Sequence, residues 1–246
     1  MIDLKTFSTK ILKDELKRRE ECKKEKYRNI IIFGPPGSGK GTQAELLKCL
    51  CKFSSGDIFR NKVLSNTDDG KKAKLIMDKG ELLPDDLAFK LLDIENFIQD
   101  ENCSNGVVFD GFPRAMTHIV HLEKVFKNLN DKYQANGKYK IHGVFNLIMD
   151  ENKLIERVGG RLIHVPSGRV YHKLYNPPIN KGKDDITGED LLERTDEKMI
   201  LKRIRVYDIE TKPVLNYYSN ILNNVNADDK IETVHKNILS LINNII

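Results

Sequence analysis

Apolar and polar positions follow two different rhythms along this chain. Residues 3–26 set Leu4, Phe7, Ile11 and Leu16 at helical spacing, which predicts one amphipathic helix. It reads as an extra helix packed on the core, in preference to a membrane-surface or partner-binding helix. Residues 29–33, Asn-Ile-Ile-Ile-Phe, form instead a short unbroken apolar run. That is the pattern of a parallel strand covered on both faces. A glycine-rich loop follows, then helical spacing through Ala44, Leu46, Leu47 and Leu50. Further buried strands are predicted at 106–109 and 144–149, separated by helical stretches such as 87–98 and 115–129. Strands alternating with helices indicate an α/β fold around a mainly parallel sheet.

Residues 159–197 break this rhythm. They are rich in Gly, Pro and charge, with strand-like pieces at 161–164 and 168–172 and a turn at Asn176-Pro-Pro178. The pattern predicts a small insertion, not a linker. Helical spacing resumes at 198–210 and 231–245, and no internal repeat is visible.

Composition narrows the function classes. The 246 residues are 39% hydrophobic and 31% charged, enough for a core beneath a densely charged surface. No apolar run approaches the ~18 residues of a spanning helix, so no membrane span is expected. Residues 1–21 lack the apolar centre of a secretory signal, and Asp3, Asp14 and Glu15 argue against a mitochondrial transit peptide. Ile2 follows Met1, which removes N-myristoylation. Cys22, Cys49, Cys51 and Cys103 form no C-x-x-C pair. Their scatter suggests neither a disulfide framework nor a zinc cluster, so a reducing, cytoplasmic setting is expected, with a mitochondrial one as the alternative. The net charge of +5 suits a small anionic ligand. The basic residues are dispersed without aromatic interleaving, so nucleic acid is not an expected partner.

The most informative chemistry begins at the first glycine loop. Gly34–Thr42 reads GPPGSGKGT, which matches G-x-x-x-x-G-K between a strand and a helix. Glycines let backbone N–H groups converge on phosphate oxygens, the helix start adds a favourable dipole, and Lys40 adds a point charge. Gly37, Ser38, Gly39, Lys40, Gly41 and Thr42 are therefore candidate phosphate-binding residues. Gly41 follows the lysine and the hydroxyl comes one position later, at Thr42.

Three further strings accompany this loop in order: SSGDIFR at 54–60, DGFPR at 110–114, and GRLIHVPSGRVYH with NPP and DDITGE in the 159–197 insertion. From about residue 28 onward the chain resembles an adenylate kinase of the long-lid type. The resemblance implies a P-loop nucleotide kinase fold over 28–246, with an acceptor-binding insertion at about 54–86 and a lid at about 159–197. Residues 1–27 would be a helical extension. It implies Mg²⁺-dependent transfer of the γ-phosphoryl of ATP to AMP by a monomer, with GTP as the alternative donor. A nucleotide-binding scaffold with weakened turnover is a further alternative. AMP would meet Ser55, Arg60, Glu81, Leu82, Leu83, Gly111, Phe112, Arg114 and His118. The donor would meet the phosphate loop together with Arg161, Val170 and Tyr171. The catalytic set implied is Lys40, Asp110, Arg114, Arg157, Arg161, Arg194 and Arg203, with Mg²⁺ held through phosphates and water and by Asp110.

This set agrees with phosphoryl-transfer chemistry, in which converging guanidiniums neutralise charge on the moving group. No general base is required, because the attacking AMP oxygen is already an anion. Arg169 reads as structural. Some relatives carry four zinc-binding cysteines in the lid; here those positions are His164, Ser167, Asp184 and Thr187. That set suits a hydrogen-bond network better than zinc, so no structural metal is expected. The chain departs from the family pattern at His118, where a Gln is usual. It is also shorter than usual at 46–53 and between Arg194 and Arg203, and Val225-Asn-Ala-Asp228 replaces the usual turn.

Overall fold

The computed structural model of the chain describes residues 8–65, 67–167, 169–193 and 197–245. Helix α1 (Thr9–Cys22) precedes strand β1 (Ile30–Phe33), which leads through the glycine loop into α2 (Lys40–Leu46) and β2 (Cys51–Ser54). Four helices follow: α3 (Ser55–Leu64), α4 (Asp68–Met77), α5 (Asp85–Leu92) and α6 (Ile94–Ile98). The chain then returns to the sheet as β3 (Val107–Asp110), α7 (Met116–Tyr133) and β4 (Gly143–Ile148). Helix α8 (Glu151–Gly159) opens the second insertion, made of β5 (Arg161–Ile163), β6 (Val170–His172) and β7 (Leu192–Glu193). The chain closes with α9 (Glu197–Val206), α10 (Val214–Tyr217), β8 (Leu222–Asn226) and α11 (Ile231–Asn243).

The main sheet has the order β2-β3-β1-β4-β8 and every pairing in it is parallel. Successive strands step from β1 to one side and then from β3 across to β4, so the order reverses beside β1. Ligands of open α/β sheets bind at such reversals, beyond the carboxyl ends of the strands. The run IIIF is apolar throughout because both faces are covered. Ile31 and Phe33 join Phe53, Phe109, Phe112 and Phe126 in one core layer, while Ile30 and Ile32 join Val108, Phe145 and Ile238 in the other. A separate small core of Ala73, Leu83, Ala88 and Leu91, backed by Phe59 and Met77, holds α3, α4 and α5 together. In the second insertion β5 pairs antiparallel with β6 and with β7.

Several elements differ from expectation. The stretch 87–98 is two helices, because Asp93 adopts a left-handed conformation (φ 43°) that ends α5. Asp tolerates that region better than most side chains. Strands β2 and β8 are edge strands interspersed with polar residues, Lys52 and Ser54 in one and Asn223, Asn224 and Asn226 in the other, so neither carries a continuous apolar signal. Helix α1 does not pack through its apolar stripe: Ile11 and Leu16 are 54% and 62% exposed. Its attachment lies at its C-terminal end, where Cys22 is buried, Arg18 donates to the Lys48 carbonyl, and Asn105 donates to the Cys22 carbonyl at 2.7 Å. Leu4 and Phe7 lie outside the described residues.

The cysteines are a second correction. Cys22 is bonded to Cys49 and Cys51 to Cys103, with Cα atoms 5.2 and 5.1 Å apart. Spacing along the chain conceals these pairs, because it is the β2–β3 adjacency that brings residue 103 beside residue 51. The Cys22–Cys49 bridge joins residues 27 apart and is the one covalent tie of α1 to the core. Its reduction is expected to cost about 3 kcal/mol through the loop entropy restored to the unfolded chain. In a chain of this size that lowers Tm by roughly 6–12 °C. Thermal melts of the parent and of a Cys22→Ser variant, which removes this bridge alone, measure this, and an unchanged Tm would contradict it.

Candidate active site

The phosphate loop leaves the end of β1 through Gly34, whose φ of +147° and close neighbours exclude a side chain. A Cβ there would lie 2.5 Å from Ser38 Oγ and 3.0 Å from the Leu147 carbonyl oxygen. Lys40 folds back over the loop, its Nζ donating to the carbonyls of Gly34 at 2.7 Å and Pro35 at 3.0 Å. Burial pushes the Lys40 ammonium down to about 8; Asp110 pulls it up, and the guanidiniums of Arg114 and Arg161 push it down further. These four groups therefore share one electrostatic neighbourhood. Gly37, Gly39, Gly41 and Thr42 line the cleft with Lys40, and the Ser38 hydroxyl is buried behind them.

The acceptor-side candidates converge from two segments on one carbonyl. Gly111 O accepts from Ser55 Oγ at 2.7 Å and from Arg114 Nε at 2.6 Å. Gly111 itself sits at φ +73°, and a Cβ would come within 2.8 Å of Arg114 Nη2. The Phe112–Pro113 peptide is cis. Arg114 is held further through its own backbone: its N–H donates to His118 Nδ1 at 3.2 Å, and its carbonyl accepts from Thr211 Oγ1 at 3.1 Å. Arg60 is ion-paired with Asp57, one turn away on α3. Burial would raise the Asp57 carboxyl, but Arg60 and Lys52 outweigh it and hold it low. Leu82 and Leu83 line the same cleft, with Leu83 buried against the small helical core. Glu81 lines the rim and pairs with Lys202 at 2.9 Å.

Further arginines come from α8, β5 and α9. Arg157 on α8 donates to the Ala227 carbonyl at 3.2 Å and stacks its cation over Tyr175. Arg161 lines the cleft at the start of β5. Arg203 on α9 reaches the Met77 carbonyl at 3.4 Å. Arg194 lies outside the described residues. Val170 and Tyr171 also line the cleft, although the Tyr171 hydroxyl is turned into the lid, where it donates to Asp184 at 3.0 Å. The cleft encloses about 1680 Å³, beyond the ~300–1,000 Å³ of a site for one small ligand. It has room for two nucleotides.

The lid is organised by a buried polar network. Asp184 accepts from Arg169 through both oxygens, at 2.8 and 2.6 Å, and from the Thr187 backbone N–H and hydroxyl at 2.8 and 3.0 Å. His164 lies 2.6 Å from Ser167 Oγ and 2.6 Å from Glu189 Oε2. The Arg169 guanidinium holds the Asp184 carboxyl far below the usual carboxylate range. An Asp184→Ala variant leaves Arg169, Tyr171 and Thr187 without their common acceptor. It is expected to speed proteolytic cleavage within the lid by about tenfold or more, because such a unit opens locally. Cleavage at the parental rate would contradict this role.

Sequence reasoning missed the groups that hold the named arginines in place. Asp57 could have been found from its i, i+3 spacing to Arg60. Asp85 and Thr211 could not, because only the fold brings them to His118 and Arg114.

Known proteins give the same picture. The family model described as adenylate kinase matches residues 32–223. "Adenylate kinase 4" of Arabidopsis thaliana is 39% identical over 233 residues, covering 92% of this chain and 91% of its own length. "Adenylate kinase" of Emericella nidulans is 38% identical, covering 89% and 83%. "Adenylate kinase 3" of Oryza sativa subsp. japonica is 40% identical, covering 88% and 89%. With the phosphate loop, the paired acceptor segments and the lid arranged about one cleft, the chain belongs to the adenylate kinase family.

Proposed function

We propose that this enzyme transfers the γ-phosphoryl group of ATP to AMP, yielding two ADP. The observation that carries the reading is the single cleft lined by Lys40, Asp110, Arg114 and Arg161, with the last three close enough to Lys40 to influence its ammonium. A donor phosphate cradled by Gly37–Thr42 and an acceptor phosphate clamped by Arg60 and Arg114 would meet in line there, which is most of what phosphoryl transfer requires. Arg157, Arg161, Arg194 and Arg203 would neutralise charge building on the transferring oxygens. The AMP phosphate needs no base to become a nucleophile. Closure of the 159–197 lid would keep water from competing for the donor.

Magnesium fits the oxygen chemistry of the site. The Asp110 carboxylate lies at the end of β3, close enough to Gly41 that a Cβ there would sit 3.3 Å from Oδ2. Among the described residues no cluster of three His, Cys, Asp or Glu side chains could hold a metal. Mg²⁺ would bind through phosphates and water with Asp110 as its protein anchor, the arrangement this ion favours. It would supply positive charge to neutralise the donor phosphates.

A coupled assay of purified protein with Mg²⁺, AMP and either ATP or GTP tests the reading. ADP formation with ATP is the expected result. Turnover with GTP alone would overturn the donor assignment, and none with either would point to a nucleotide-binding scaffold. No helix among the described residues is long and apolar enough to cross a membrane. The cytoplasm is the proposed location, with the mitochondrion as the alternative; the two cysteine pairs, Cys22–Cys49 and Cys51–Cys103, weigh against a strongly reducing setting. Cell fractionation with alkylation of free thiols tests both points together.

A further inference from the structure

The acceptor side of the cleft contains a histidine whose two ring nitrogens are both engaged. His118, 5% exposed, is the third residue of α7. Its Nδ1 accepts the Arg114 backbone N–H at 3.2 Å, and its Nε2 lies 3.2 Å from Asp85 Oδ1 at the start of α5. The ring stacks on Phe112 with centroids 5.0 Å apart and meets Phe89 edge-on at 5.5 Å. An Nδ1 that accepts carries no proton, so the N–H lies on Nε2 and donates to Asp85. Burial lowers the imidazole's proton affinity against the opposing pull of Asp85, and nearby Arg114 and His121 lower it further. The neutral ring is therefore the form in place.

The helix start explains why an imidazole is useful there. Ala115, at the N-cap of α7, offers no side-chain acceptor. His118 supplies one from the third helical position, reaching back to the chain before the helix as the Glu or Gln of a capping box does. The N–H it satisfies belongs to Arg114, whose guanidinium is held on Gly111 O three residues earlier.

We propose that His118 is a positioning residue for the acceptor phosphate: by accepting from Arg114 and donating to Asp85 it fixes the backbone that aims the Arg114 guanidinium. Read this way, His118 acts through Arg114 and not by contacting the acceptor base. The proposal rests on the reading of Arg114 as an acceptor-phosphate clamp. In His118→Ala both hydrogen bonds vanish, and in His118→Phe the stack on Phe112 is retained without them. His118→Asn restores an acceptor near the Nδ1 position.

Initial rates with AMP and ATP varied independently distinguish the roles. The Ala and Phe variants are expected to raise KM for AMP by about tenfold with KM for ATP changed less than twofold, and Asn is expected to recover most of the loss. An AMP KM unchanged in the Phe variant, equal rises in both KM values, or an Asn variant no better than Phe would each overturn the proposal. The Phe variant carries the test if the Ala variant does not fold. A parent enzyme inactive with AMP would overturn the phosphotransfer reading and this inference with it. An active parent whose variants match it would remove this inference alone.

Discussion

A Lys40→Met variant is expected to fold normally and to turn over about 10³-fold more slowly than the parent. Methionine has similar length and no charge, so the loop keeps its filling while the donor phosphates lose their nearest ammonium. The loss of one preorganised charge at a transferring group typically costs two to three powers of ten in kcat. The retained fold follows from the contacts: among the described residues Lys40 Nζ donates to the Gly34 and Pro35 carbonyls within its own loop. A pH profile gives a second readout. With the ammonium at about 8, an arriving polyphosphate raises it, so binding takes up a proton once pH exceeds about 8. Donor affinity of the parent should then weaken by up to tenfold per pH unit above that value, and the methionine variant should lack this dependence. Near-parental kcat in Lys40→Met would remove the phosphate loop from the mechanism.

Arg114→Ala should lower kcat by about 10²–10³-fold and raise KM for AMP by about tenfold or more. Two effects combine here. The acceptor phosphate loses a bidentate partner, and the transition state loses a cation that lies among Lys40, Asp110 and Arg161. KM for the donor should change little, since Arg114 is held by Gly111, Thr211 and His118 on the acceptor side. Steady-state kinetics with both substrates varied would measure the split. Equal losses for both substrates would argue for a collapsed cleft instead of a missing clamp.

The sheet's inner strands were legible in sequence because they are covered on both faces over most of their length and so read as mainly apolar runs, unbroken in Ile30–Phe33 and interrupted by Asn146 in Gly143–Ile148. Ile30–Phe33, Val107–Asp110 and Gly143–Ile148 lie within a residue or so of their predicted positions. The site strings were legible for a related reason. Backbone geometry at a phosphate loop demands particular residue types at fixed offsets, so chemistry and spacing arrive together. What escaped notice depends on contacts across the fold. The Cys51–Cys103 bridge needs β2 beside β3, the Asp85–His118 contact needs α5 against α7, and neither leaves a local mark. Helix α1 shows the reverse failure. Its periodicity is real, yet Ile11 and Leu16 face solvent because a disulfide and polar contacts at its end fix its orientation.

Strand β8 forms one open margin of the main sheet, and its sequence is LNNVN with Val225 as its buried residue. Asn224 pairs through its amide with Asn146 on the neighbouring strand at 3.0 Å. At the opposite margin β2 carries Lys52, which reaches Glu45 and Asp57, and Cys51, which is bonded to Cys103. An incoming strand would find no hydrophobic register at either side, the usual way a sheet avoids recruiting foreign chains. The polar side chains of β8 and the ion-paired Lys52 of β2 are thus expected to make both margins poor templates for a foreign strand.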